Sequence, residues 1–100
     1  QVWTDEGRHV DPLADVAGHD AIDQMIAGVQ AQFPGHRVRR TSSVDRHHDQ
    51  LRYHWELAAE DGTPVVTAVD VGEVDTDGRL RRVSAFFGEL ATTCHPIFPA

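Results

Sequence analysis

The spacing of apolar residues changes character once along this chain. Ile22, Met25, Ile26, Val29 and Phe33 fall at i, i+3, i+4, i+7 and i+11, a single stripe down one side of a helix. That spacing predicts a helix over 19–33, with Asp20 and Asp23 complementing the positive end of its dipole and Pro34-Gly35 stopping it. After residue 35 the period falls to two. Leu51, Tyr53, Trp55 and Leu57 alternate with Arg52, His54 and Glu56, and Val65 to Gly72 is rich in β-branched residues. Strands are predicted over 36–44, 50–58, 64–74 and 79–87, with short connections in which Gly62 and Gly78 supply positive φ. Ahead of the helix, Val2-Trp3-Thr4 reads as a short strand ending at Asp5-Glu6-Gly7. The polar stretch 8–18, with Pro12 inside it, reads as a loop long enough to be a lid.

One helix followed by a four-strand meander is an α+β pattern rather than a parallel α/β one. The alternating strand gives the sheet one apolar side, for a helix or a ligand, and one wet side. One hundred residues suit one domain, 1–100, with a single modest core.

Charge and composition remove several classes. A net charge of −7 argues against a nucleic-acid surface, and all nine basic residues are Arg. No apolar stretch approaches the ~20 residues that a membrane helix needs, and the chain opens on Gln1-Val2-Trp3, unlike a signal peptide. A lone Cys94 cannot form an intrachain disulfide and suits a reducing, cytoplasmic compartment. The seven His show no strong zinc spacing, Ser42-Ser43 lacks a nucleophile elbow, and no Gly-rich phosphate loop exists. Neither metal nor cofactor is expected. Cys94-His95, just before Pro96 near the chain end, makes a poor nucleophile pair.

The candidate chemistry sits in the apolar strand. Val66, Ala68, Asp70, Gly72 and Val74 share one face, so Asp70 is expected to be poorly hydrated. A carboxyl group there either finds a partner or becomes a neutral acid able to donate a hydrogen bond. A buried Asp held by a backbone amide or an Arg is the plain structural alternative.

The order short strand, loop, helix, curled meander resembles the cone fold of the nuclear transport factor 2-like superfamily, which includes SnoaL-like polyketide cyclases and ketosteroid isomerases. Ala68-Val69-Asp70-Val71, Asp77-Gly78-Arg79-Leu80 and Ala85-Phe86-Phe87-Gly88-Glu89 are similar to the isomerase C-terminal hairpin. Val2-Trp3-Thr4-Asp5 looks like the strand end that carries the family's general base, and Gly18-His19-Asp20-Ala21-Ile22 is similar to the superfamily's helix start. The resemblance implies Asp5 as base and Asp70 as donor to an oxyanion, two carboxyl groups set apart by their surroundings. It also implies an apolar pocket between helix and sheet. Trp3, Met25, Ile26, Tyr53, Trp55 and Phe87 are the lining candidates, with Phe86 as the alternative to Phe87.

Three departures qualify the match. The family base is usually followed by Pro, whereas Glu6 follows Asp5. The 7–18 segment is longer than in the isomerases. The family has helices before the first strand, and its oxyanion Tyr lies there. Tyr53, the single tyrosine here, sits in the meander instead. The expectation is therefore a domain N-terminally truncated relative to the family, completed as a homodimer or by an element of another chain. It would bind a small hydrophobic molecule and isomerise or cyclise a carbonyl compound. The alternative is a non-catalytic ligand-binding or dimerisation module of the same fold.

Overall fold

Asp11 turns the chain where a loop was expected. In the computed structural model, which describes residues 2–89, the Asp11 Oδ1 accepts hydrogen bonds from the backbone N–H groups of Leu13 (2.7 Å) and Ala14 (2.8 Å). Pro12 has no N–H to satisfy and its fixed φ suits the turn. The 8–18 stretch is therefore a hairpin: β1 (Trp3–Asp11) pairs antiparallel with β2 (Ala14–Ala17). Its polar composition disguised it. Arg8 holds Asp15 across the two strands and His9 holds Asp11, so side-chain pairs replace the apolar alternation that marks an ordinary strand. The lid expectation is corrected accordingly.

The helix α1 (His19–Gln32) follows, then β3 (Arg37–Arg40), β4 (Asp45–His47), β5 (Gln50–Ala58), β6 (Pro64–Val74) and β7 (Leu80–Phe87). The strand expected over 36–44 splits, because the ladder to β5 breaks after Arg40, where only the Thr41 N–H and the Ser42 hydroxyl still bond the His54 backbone, and resumes at Asp45. Gly62 and Gly78 take φ of 89° and 79°, as their turns require. The described strands form one curved mixed sheet in the order β2-β1-β7-β6-β5-β3, with β4 beside β5. Only the β1–β7 pair is parallel.

The helix backbone packs on β1 and β2 and makes no close approach to β5, β6 or β7. Ile22 is the one residue of its stripe that is fully covered, at 1% exposed, while Ile26 is 44% exposed. The rest of the core runs along the sheet as Leu57, Ala58, Ala68, Val74, Val83 and Ala85. Cys94, His95 and Pro96 lie outside the described residues. Ile22→Ala should destabilise the chain by about 2–5 kcal/mol, and Ile26→Ala by less than about 1, because only the former opens a cavity. Urea unfolding followed by tryptophan fluorescence measures both, and equal losses would show that the stripe is covered along its whole length.

Candidate functional site

Register places the chemistry. Tyr53, Asp70 and Ala85 form one row across β5, β6 and β7; Trp55, Ala68 and Phe87 form the next; Leu51, Gly72 and Val83 form the row on the other side. Directly paired residues point the same way, so all nine share one face. The bulky side chains stand on β5, and their β6 partners are small. A Cβ on Gly72 would come within 2.9 Å of the Leu51 Cδ1.

Asp70 is 8% exposed and both its oxygens are engaged. The Tyr53 O–H donates to Oδ2 at 2.9 Å, and the Trp55 Nε1–H donates to Oδ1 at 2.7 Å. An indole N–H can only donate, so Oδ1 is an acceptor. The expected neutral Asp70, donating to a ligand, is thus replaced by a carboxyl group that accepts two bonds. Burial, then the negative charge of Asp70 and its hydrogen bond, push the Tyr53 phenol up to about 12, with Arg40 opposing them. Trp55 is held further by Phe87, edge-on at 6.2 Å between centroids.

A second polar pair reaches the same face from β1. His9 pairs with Val83, and one residue beyond the Val10–Ser84 pair Asp11 falls alongside Ala85. The His9 Nε2 and the Asp11 Oδ2 are 2.8 Å apart, both side chains largely buried. Facing an ionised carboxylate, Nε2 carries the hydrogen and Nδ1 is left to accept one. Asp11 is fixed in turn by the two turn amides. Neither residue was singled out in the sequence, because their segment read as a loop. The signal was present nonetheless: Asp11-Pro12 is the Asp-Pro pair that the resemblance calls for and that Asp5-Glu6 lacks.

The other candidates are scattered. Asp5 has a side chain 95% exposed, 3.8 Å from the His19 Nε2, which also donates to the carbonyl oxygens of Trp3 and Thr4. Asp5 lines a depression of about 440 Å³ at the helix start with Ala17, Gly18, His19, Asp20 and Ala21, so the structure does not bring it to Asp70. Trp3 stands edge-on to His9 at 6.5 Å, folded over Gly7, where a Cβ would approach it to 2.6 Å. Phe87 shares the face of Asp70, whereas Phe86 points from the opposite face and is exposed. Met25 and Ile26 lie on the helix, whose backbone comes closest to β1 and β2. Among the described residues no group of three or more His, Cys, Asp or Glu could hold a metal ion.

Comparison with known proteins adds a family likeness. The chain is similar to a proposed isomerase of the SnoaL-like family from Agrobacterium tumefaciens, at 34% identity and a TM-score of 0.84, over 89% of this chain and 76% of that one. It shares its fold with a proposed polyketide cyclase from Sinorhizobium meliloti (16% identity, TM-score 0.70, 84% and 74% covered). A nuclear transport factor 2-like protein from an Exiguobacterium species also matches (16% identity, TM-score 0.71, 89% and 79% covered). No family model and no curated protein matches the chain.

Tyr53 offers a direct reading of the site, being the chain's single tyrosine. Its absorbance titration should be delayed from the usual value near 10 to about 12. Between those values the unfolded chain loses this proton and the folded chain keeps it. The contribution is therefore full below about pH 10 and is lost as pH rises towards 12. Asp70→Asn removes the neighbouring charge and should bring the titration back towards its ordinary range. A normal midpoint in the unsubstituted protein would show that the Tyr53–Asp70 bond is absent in solution.

Proposed function

The chain belongs to the SnoaL-like family of the nuclear transport factor 2-like superfamily, and on that footing we propose that the sheet face carrying Asp70 binds a small hydrophobic carbonyl compound and isomerises or cyclises it by proton transfer. The observation that carries this reading is the nearly buried Asp70, held at both oxygens by Tyr53 and Trp55 among the small and apolar residues of β6 and β7. Such a group is oriented without needing water, and a carboxylate in a dry site is an effective proton acceptor. Ala68 and Ala85 beside it carry only a methyl group each, against which a flat ligand would lie.

Asp70 takes the proton from the carbon beside the carbonyl, and the C–H electron pair moves into the new C=C bond while the carbonyl oxygen gains negative charge. His9, when it carries a proton on Nδ1 as well, donates to that oxygen, with Asp11 fixing its ring and balancing its charge. Return of the proton from Asp70 to a different carbon is isomerisation. Attack of the enolate carbon on a second carbonyl is cyclisation. In this assignment the base is Asp70, and the expected pairing of Asp5 with Asp70 is replaced by Asp70 with His9–Asp11.

The second reading, a binding or dimerisation module without chemistry, is favoured by a different observation. Val71 and Phe86 are exposed on the face opposite Asp70, where a second copy of the sheet could cover them. Exchange of the α-protons of 2-tetralone in D2O, followed by proton NMR, separates the two. The enzyme reading expects exchange above buffer that falls about 100-fold or more in Asp70→Asn and by a smaller factor in His9→Gln. Binding without any protein-dependent exchange would leave the module reading in place.

A further inference from the structure

Five of the nine arginines hold a carboxylate, and two of those that do not share the face of Asp70. Arg8, Arg39, Arg52, Arg79 and Arg81 each hold a carboxylate, and Arg82 reaches the Ser84 hydroxyl and acts on Asp15. Among the described residues no carboxylate stands within ion-pairing distance of Arg37, Arg40 or Arg46. Acids outnumber bases by 16 to 9, so partners are not scarce. Arg37 pairs with Ala58 on the face opposite Asp70. Arg40 pairs with Trp55 and Arg46 with Leu51, which puts both on the face of Asp70.

Their placement brackets a gap. β3 covers β5 from Trp55 to Ala58, and β4 covers it from Gln50 to Arg52. Between them the Thr41 N–H donates to the His54 carbonyl and the His54 N–H donates to the Ser42 hydroxyl, so the connecting chain bulges past Tyr53 without a ladder partner for it. The two arginines therefore flank the β3–β4 bulge beside Tyr53, and Arg40 is close enough to act on the phenol. We propose that the ligand of the Asp70 face carries a carboxylate, which Arg40 and Arg46 hold at the β3–β4 edge while its far end reaches Asp70. The proposal rests on the reading that this face binds the ligand, and it narrows the ligand's class to hydrophobic acids. Asp70 lies two strands in from that edge, about 10 Å, so the ligand body is about the length of two fused rings. Guanidinium groups suit this task because they stay charged and present paired N–H donors to a carboxylate.

The test compares 2-naphthol with 6-hydroxy-2-naphthoate, which has the same rings and hydroxyl plus a carboxylate, by isothermal titration calorimetry at low salt. The carboxylate should bind about tenfold tighter or better, with the advantage shrinking as salt rises. In Arg40→Gln/Arg46→Gln the ratio of the two affinities should fall to about one. Arg37→Gln, on the other face, should leave that ratio as it is. All three arginines are exposed, so these changes should spare the fold. Equal or weaker binding of the carboxylate, or an advantage that survives the double substitution, would overturn the anion site and leave the pocket standing. Failure of both compounds to bind the unsubstituted protein overturns the pocket reading itself, and this proposal with it.

Discussion

A carboxyl group on the apolar face of a sheet must be satisfied from within the sheet, and the arrangement of β5 against β6 follows from that demand. Asp70 receives Tyr53 and Trp55 from the neighbouring strand, two residues apart and on its own face. Side chains alternate with period two, so a slip of one residue would carry both donors to the other face. Asp70 would then be left without partners at a cost of several kcal/mol. The same slip would turn Leu51 and Leu57 outward. Polar satisfaction and hydrophobic burial therefore choose one register. The small β6 residues complete the fit, since Gly72 already leaves no space for a Cβ against Leu51.

The second constraint lies at the edges. A curved sheet that does not close leaves unpaired backbone on its outer strands, which invites pairing with other chains. Here β3 carries Arg37, Arg39 and Arg40, and β2 is four residues long and carries Asp15. Charge and shortness blunt both edges. The hairpin of β1 and β2 has a further role, because β1 is parallel to β7 and brings His9 and Asp11 to the row beside Asp70. The parallel pairing accommodates extra β1 residues between Trp3 and Arg8, where Gly7 lets the Trp3 ring fold over the backbone.

The parts of the fold legible in sequence are those where burial writes a period. The helix stripe, the strict alternation of β5 and the β-branched run of β6 were all visible, and the structure places these elements within a few residues of expectation. The 8–18 hairpin was hidden because its strands are held by Arg8–Asp15 and His9–Asp11 rather than by an apolar face. Asp70 stood out as a charge inside an apolar strand. Its donors did not, because Tyr53 and Trp55 read simply as apolar residues and their polar atoms became meaningful only with the β5–β6 register. Asp5 misled because it ended a strand that in fact continues to Asp11, so the strand-end position belonged to the later aspartate.

Donor and acceptor counting then limits what the face accepts. Each carboxylate oxygen of Asp70 has a second lone pair, and the Tyr53 oxygen has two, so a ligand O–H can be received without breaking the network. A ligand carbonyl finds no donor there, since the Tyr53 hydrogen is committed to Asp70 and the Trp55 hydrogen likewise. It must look to a His9 that carries a second proton. The resting face therefore complements an enol or phenol at Asp70 better than a ketone. On the proposed function, a ketone would become complementary only as its oxygen gains charge and its α-proton moves towards Asp70, and a site with that preference would favour the transition state over the substrate.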